Sequence, residues 1–209
     1  YADYAGMVSY SRKLKPEGLR LGGTAKVIYR NVGTFGKAWG FGADLGLQYD
    51  LNRWKIGLMA RDITSTFTAW DYTYTDDQLA VLQSTGNDLV ESSVEVVTPR
   101  IILGGAFSSR KSGNEKVGIL VEMDLDFTTD GQRNVLVSSK SFNMDPSMGF
   151  EFDYKKIAFI RAGINNFQTV QDDEGNKSLA VQPNMGIGFR IGSFNVDYAF
   201  NNVGSAGNT

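Results

Sequence analysis

The chain has no cysteine and no histidine among its 209 residues, and it has only 4 prolines. The absence of cysteine excludes disulfides and thiolate chemistry, and the absence of histidine excludes imidazole metal ligands and any triad with a histidine base. The sequence also lacks a run of about 18 consecutive apolar residues, the length that a membrane-spanning helix requires. The usual enzymatic and helical-membrane classes are therefore poorly supported.

Positive charge is not concentrated anywhere in the chain. Lysine and arginine are scattered, and the formal net charge is −2, so nucleic acid is not an expected partner. The composition is 42% hydrophobic, which suits one large folded domain better than a disordered chain. Two classes remain open at this point: a soluble β protein such as a sandwich, and a barrel that crosses a membrane on alternating strands.

The segment Val117–Gly131 alternates with the two-residue period of a β-strand. Its apolar face carries Val117, Ile119, Val121, Met123, Leu125 and Phe127, and its other face carries Glu122, Asp124 and Asp126. The same division recurs in about ten segments. We predict strands at residues 3–14, 18–31, 38–50, 53–63, 99–109, 115–127, 147–154, 157–166, 183–191 and 194–201.

The connections between these strands alternate in length. The short ones are 15–17, 51–52, 110–114, 155–156 and 192–193, and the longer, more polar ones are 32–37, 64–98, 128–146 and 167–182. Such alternation is typical of an antiparallel up-and-down transmembrane β-barrel with short periplasmic turns and long external loops. Aromatic residues near the predicted strand ends fit the interfacial girdles of such a barrel, although aromatics also favour strands in general. The predicted fold class is all-β.

The longest predicted loop, 64–98, is the main candidate for a functional surface. We predict a short helix near 76–83 in it, with Thr75 or Asp76 as the N-cap. Aromatic side chains on a long loop favour recognition, so Trp70, Tyr72 and Tyr74 are the predicted partner contacts. The alternative is that this loop folds back onto its own barrel.

Charged residues on the polar face are expected to line the barrel lumen as a structural charge network. A catalytic pair of carboxylates is the alternative, but charge networks commonly fill such lumens. We therefore predict no enzymatic activity, no catalytic residue, no cofactor and no metal site. The predicted network consists of Lys26, Arg30, Asp44, Arg61, Glu122, Asp124, Asp126, Glu151, Asp153 and Arg190.

Strand parity predicts that residues 1–209 form one barrel domain that is incomplete at both ends. Bacterial barrels normally have an even number of strands with both termini in the periplasm, and about ten strands starting on the loop side do not satisfy this rule. Unpaired strand edges are costly in lipid, so further strands are expected to close the sheet.

Several stretches resemble the PorV/PorQ family of the Bacteroidota, which are FadL-like outer-membrane barrels tied to the type IX secretion system. These stretches are "VSYSRKL", "GFGADLGLQYDL", "IGLMARDITSTFTAW", "STGND", "EMDLDFTTDGQRNVL", "DPSMGFEFDYKKIAFIRAGINNFQ" and "VDYAF". The resemblance runs over nearly the whole chain.

This resemblance implies a barrel of about fourteen strands in the bacterial outer membrane, of which this chain supplies about ten. It implies contact with outer-membrane lipid and with partner proteins: the SprA-like translocon or attachment-complex proteins, and the C-terminal domains of secreted cargo. The external loops would be the working surface, with 64–98 supported by 128–146 and 167–182. The alternative function is a FadL-like conduit for hydrophobic small molecules.

Overall fold

A computed structural model describes residues 1–85, 92–110, 115–171 and 175–201. These residues form thirteen β-strands of one sheet and one short helix. Judged by length and hydropathy together, this part of the chain holds no helix that could cross a membrane. Most of the predicted connection 110–114, part of the "STGND" stretch, and residues 202–209 lie outside the described residues.

The strands are long compared with those of most globular domains. In chain order the elements are β1 (Ala2–Lys13), β2 (Leu19–Val32), β3 (Gly36–Leu51), β4 (Trp54–Arg61), β5 (Thr66–Tyr72), α1 (Asp76–Ser84), β6 (Ser92–Val97), β7 (Arg100–Ser108), β8 (Val117–Thr128), β9 (Val137–Ser138), β10 (Asn143–Tyr154), β11 (Ala158–Gln171), β12 (Lys177–Ile191) and β13 (Phe194–Asn201).

Ten of these strands follow one another through the sheet in chain order, as β1-β2-β3-β4-β7-β8-β10-β11-β12-β13. They correspond one to one to the ten segments predicted from alternation. The pairs from β7 to β13 along this path are antiparallel. The prediction of an all-β, antiparallel sheet is confirmed, and its strand order is up-and-down.

Two of the predicted long connections are in fact short. Only residues 33–35 separate β2 from β3, and only residues 172–176 separate β11 from β12. In the second case the two strands stay paired as far as Gln171 and Lys177, beyond a register shift between Asn165 and Gln168. Asn166 has a φ of 52° within that shift. Such a bulge reverses which residues face which side, so it hides the two-residue period from sequence analysis.

The predicted loops 64–98 and 128–146 contain regular structure. The first holds β5, α1 and β6, and the second holds β9 and the start of β10. The helix is confirmed with Thr75 as its N-cap. The Thr75 hydroxyl accepts a hydrogen bond from the Gln78 backbone, and the Gln78 side chain accepts one from the Thr75 backbone. This reciprocal pair is a capping box.

Contacts divide the chain into two compact units, and strands β1 to β4 each contribute residues to both units. Unit 1 comprises Tyr1–Arg12, Leu21–Gly46 and Ala60–Pro99, and unit 2 comprises Lys13–Arg20, Leu47–Met59 and Arg100–Thr209. In each unit we call the side of the sheet that carries the charged residues the polar face, and the other side the apolar face.

In unit 1, β5 pairs with both β3 and β6. On the polar face, small residues of β3 stand opposite larger residues of β5: Gly36 opposite Tyr72, Ala38 opposite Trp70, and Gly40 opposite Thr68. A Cβ atom on Gly40 would lie 2.8 Å from the Thr68 hydroxyl oxygen. Gly40 and Gly42 are therefore strand glycines that make room for the side chains of β5.

In unit 2, apolar residues form rows across the sheet. One row runs from β7 to β13 through directly paired positions: Phe107, Val121, Phe150, Ala162, Met185 and Phe200. The large side chains of this row on β8, β10, β12 and β13 are exposed, from 44% for Phe150 to 65% for Met185. The positions that alternate with these rows point to the polar face and carry charged, amide and glycine residues.

The described residues have almost no apolar core. Ala38 and Val135 are the buried hydrophobic residues among them. The buried polar residues are more numerous: Asp44, Thr66, Thr68, Thr128, Asn143 and Asp153. In each unit the usual arrangement of a water-soluble protein, with apolar residues inside and polar residues outside, is reversed.

Candidate functional site

Lys26 lies on the polar face of unit 1 between two carboxylates. Its Nζ is 2.7 Å from Asp44 Oδ1, and it also donates to Asp62 Oδ1. Asp62 accepts a hydrogen bond from the Thr66 hydroxyl, and its backbone N–H donates to Asp44 Oδ1 at 2.8 Å. The Lys26 side chain is 12% exposed. We call these four residues the Lys26 cluster; it ties β2 and β3 to the segment between β4 and β5.

The segment between β4 and β5 explains why Asp62 reaches this position. Asp62 and Ser65 have φ angles of 52° and 54°, so the backbone leaves the extended conformation there. Aspartate tolerates this left-handed region better than most residues. Sequence analysis placed Lys26 and Asp44 in the charge network but missed Asp62, because it treated residues 53–63 as one regular strand.

Arg30 lies further along β2 and connects two strands of unit 1. Its Nη1 donates to Glu95 Oε2 on β6 at 3.0 Å, and its Nε lies 3.9 Å from Asp3 Oδ2 on β1. The same Glu95 oxygen accepts a hydrogen bond from Trp70 Nε1 at 3.3 Å. Arg30, Glu95 and Trp70 therefore form one connected group. Neither Asp3 nor Glu95 was predicted for the network.

The three predicted partner contacts lie close together, but not on an exposed loop. Trp70 and Tyr72 belong to β5, Tyr74 follows it, and all three are half-buried. The rings of Trp70 and Tyr72 are parallel within 6°, with centroids 6.1 Å apart. Phe35 contacts Tyr72 and Tyr74 edge to face, with centroids 6.2 Å and 5.6 Å apart. The prediction that these residues lie on a long loop is wrong for Trp70 and Tyr72, because β5 continues the sheet beside β3.

From β7 to β13, unit 2 holds three groups of charges on its polar face. Arg100 pairs with Asp126 across β7 and β8. Arg110 pairs with Asp153 on β10, and both side chains are nearly buried. Arg161 on β11 lies 2.6 Å from Glu151 and also pairs with Asp197 on β13. Two acids of the predicted network, Asp126 and Asp153, thus contact arginines that were not predicted for it.

Glycines make room for some of these pairs. Gly118 on β8 lies directly opposite Asp153, and a Cβ atom there would overlap both the Asp153 carboxylate and Arg110 Nε. A Cβ atom on Gly188 would likewise overlap Asp197 and lie 3.1 Å from Arg161 Nη1. A glycine on the polar face with opposite charges on the flanking strands is the signal that points to such pairs in a sequence.

Four residues of the predicted network form no ion pair within the described ranges: Arg61, Glu122, Asp124 and Arg190. Glu122 is exposed and Asp124 is half-buried. Arg190 instead donates to Asn195 Oδ1 at 2.9 Å, and its guanidinium lies 5.5 Å from the centre of the Phe159 ring. The expectation that cations hold Glu122 and Asp124 is therefore wrong for these residues, because water can reach the polar face of β8 at Glu122.

Within the same ranges, no three acidic side chains are grouped closely enough to hold a metal ion. The strand order and the burial define the class of this chain: an all-β protein with an up-and-down antiparallel sheet, an exposed apolar face and a polar face with ion pairs. Comparison with protein-family models, with curated proteins and with solved structures found no match.

Proposed function

We propose that this chain is a non-enzymatic β-barrel component of type IX protein secretion in the bacterial outer membrane. In this role it binds cargo or partner proteins through the element formed by β5, α1 and β6, which we call the β5–β6 hairpin. The observation that carries the membrane assignment is the reversed burial. The secretion role is supported by the resemblance of the quoted stretches to the PorV/PorQ family.

Lipid explains the apolar face better than water does. The apolar row through Val121 and Phe150 continues strand by strand, so it forms a connected surface and not scattered single residues. Monomeric water-soluble proteins rarely expose connected apolar patches larger than a few hundred Å². A transmembrane strand alternates apolar residues toward lipid with polar residues toward the lumen. In this proposal the ion pairs of the polar face line the lumen.

The β5–β6 hairpin has the pattern expected at a membrane boundary. On its apolar face Phe67 pairs with Val96 and Ala69 with Val94, and one step further Asp71 pairs with Ser92. Apolar pairs thus give way to a polar pair before the chain enters α1. Under the proposal the base of the hairpin contacts lipid and α1 lies in water, where Val81 at 61% exposure is available to a partner.

The hairpin should be necessary for capture of cargo or partner proteins but not for assembly in the membrane. The test replaces residues 73–91 with a short Gly-Ser linker, which keeps β5 and β6 but removes α1. We expect the variant to reach the outer membrane and to show heat-modifiable mobility, while recovery of translocon proteins or cargo C-terminal domains falls about tenfold or more.

The matched control is Asp124→Asn, which changes the polar face without touching the hairpin. We expect it to leave membrane assembly and protein capture unchanged. If the linker variant captures its partners normally while Asp124→Asn blocks transport, the lumen is the working site. Recovery of bound lipid without any partner protein would then favour a conduit for hydrophobic small molecules.

A further inference from the structure

The rings of Trp70 and Tyr72 are held in a fixed orientation by neighbouring polar groups. Tyr72 reaches back along β5 to Ser93, which stands opposite Trp70, with 3.1 Å between the two hydroxyl oxygens. Trp70 reaches back in the same way to Glu95, which stands opposite Thr68. Each side chain thus bonds to the β6 residue that stands opposite the position two residues earlier on β5. Both rings therefore tilt in the same direction along the strand, which explains why their planes are parallel. Binding to them would cost little ordering of side chains.

The polar edges of both rings are already used by these hydrogen bonds. A ligand that needs the Trp70 N–H as a donor, as proline-rich peptides commonly do, would have to break the bond to Glu95. The partly exposed ring faces, apart from the sides on which Trp70 and Tyr72 stack on each other, remain as the main interaction surface. Aromatic faces carry negative charge density and attract cations, and tryptophan is the strongest of them.

The charged groups beside the rings also favour a cation. Arg30 lies between Glu95 and Asp3, so these three side chains carry one net negative charge. The Glu95 side chain is 47% exposed, and the hydrogen bonds from Arg30 and Trp70 both go to its Oε2. Its other oxygen, Oε1, has no hydrogen-bond partner among the described residues and can accept one from a ligand.

Other rings of this chain already carry cations. Lys155 Nζ lies 5.3 Å from the ring centre of Tyr154, and the Arg161 guanidinium lies 5.2 Å from that of Phe159. Within the described ranges, no lysine or arginine stands over Trp70 or Tyr72 in this manner. The Trp70 ring, of the side-chain type that attracts cations best, thus has none from the described residues.

We propose that Trp70, Tyr72 and Glu95 form a binding site for a basic side chain of a partner protein. The guanidinium or ammonium group stacks on the Trp70 ring and donates a hydrogen bond to Glu95 Oε1. This inference rests on the proposed function in that the β5–β6 hairpin is taken as the partner-binding element. It adds the chemistry that the site recognises.

The test measures binding of a fluorescent tetra-arginine peptide to the purified protein in a non-ionic detergent. The matched probe is tetracitrulline, which has nearly the same shape without the charge. We expect saturable binding of tetra-arginine only. Trp70→Leu should weaken it about tenfold, and Trp70→Phe about threefold, because a smaller ring gives a weaker cation–π interaction.

The controls are Trp54→Leu and Glu122→Gln, which change an exposed indole and an exposed carboxylate outside the proposed site. Neither should alter tetra-arginine affinity by more than about twofold. Equal binding of tetracitrulline, equal binding by the two Trp70 variants and the unchanged protein, or no binding at all would overturn the inference. If Trp70→Leu does not reach a heat-modifiable folded form, Trp70→Phe decides the question.

Failure of this inference can be told apart from failure of the proposed function. If the linker replacing residues 73–91 abolishes protein capture while Trp70→Leu keeps full tetra-arginine affinity, the cation site is wrong and the hairpin role stands. If the linker variant captures its partners normally, the hairpin role is wrong whatever the peptide result.

Discussion

Two acidic regions of the molecule differ in how their charges are stabilised. In the Lys26 cluster of unit 1, Asp44 and Asp62 share one lysine and further hydrogen bonds, and Asp44 is only 9% exposed. On β8 of unit 2, Glu122 is exposed and Asp124 is half-buried, and neither forms an ion pair with a described residue. We call the second region the open stripe.

The difference follows from access to water. A nearly buried carboxylate must be paired and hydrogen-bonded, because leaving it alone in a poorly hydrated site costs several kcal/mol. An exposed carboxylate keeps its hydration and needs no partner. The Lys26 cluster lies at the irregular segment between β4 and β5, where it fixes the backbone. The open stripe lies along the uninterrupted strand β8, whose backbone is already fixed by pairing with β7 and β10.

The largest effect is expected from removing the shared cation. Lys26→Met leaves Asp44 and Asp62 facing each other without a positive partner, so the free energy of unfolding should fall by about 3–5 kcal/mol. Urea unfolding of the detergent-folded protein, followed by tryptophan fluorescence, measures this change. Lys37→Met is the control, since Lys37 is exposed and forms no ion pair with a described residue; it should stay within about 0.5 kcal/mol. Equal losses in the two variants would mean that the Lys26 cluster does not stabilise the segment between β4 and β5.

A second comparison lies on β8, between a residue of the open stripe and its neighbour on the opposite face. Val121 is 48% exposed on the apolar face. If that face contacts lipid, Val121→Arg should lower the free energy of unfolding from lipid vesicles by about 2–4 kcal/mol. Glu122→Gln should change it by less than about 0.5 kcal/mol, because Glu122 has no ion pair to lose. Equal tolerance of both substitutions would argue against a lipid-facing surface and against the membrane assignment.

Periodicity predicted the strands well because each strand separates apolar from polar residues by simple alternation. The helix was also predictable, since Thr75 and Gln78 have the spacing of a capping box. The pattern failed where the backbone departs from regular geometry. The bulge at Asn166 hid the ends of β11 and β12, and the left-handed Asp62 hid the break after β4.

The ion pairs were less predictable than the strands. Lys26 and Asp44 were both expected in the network, because their strands are adjacent and their faces follow from alternation. Arg110 was not, since its partner Asp153 is 43 residues away and lies two strands across the sheet path. Gly118 is visible in the sequence, but the register that places it beside both Asp153 and Arg110 is not specified by alternation alone.

The smallest effect is expected from two glycine substitutions, one beside a paired carboxylate and one beside an unpaired carboxylate. A Cβ atom on Gly118 would overlap Asp153 and Arg110, whose side chains are 11% and 10% exposed and are fixed by their mutual bonds. A Cβ atom on Gly104 would meet only Asp124, which belongs to the open stripe. Gly118→Ala should therefore cost about 1–3 kcal/mol, because a fixed pair cannot move aside without losing contacts.

Gly104→Ala should cost no more than about 0.5 kcal/mol, because Asp124 has no ion pair and can rotate away from the new methyl group. Gly105→Ala serves as the control for strand propensity, since Gly105 lies in β7 and a Cβ atom there meets nothing within 4 Å. All three free energies come from the same urea titration. A Gly104→Ala cost as large as that of Gly118→Ala would show that Asp124 is held as firmly as Asp153, and the distinction between paired and unpaired carboxylates would no longer describe unit 2.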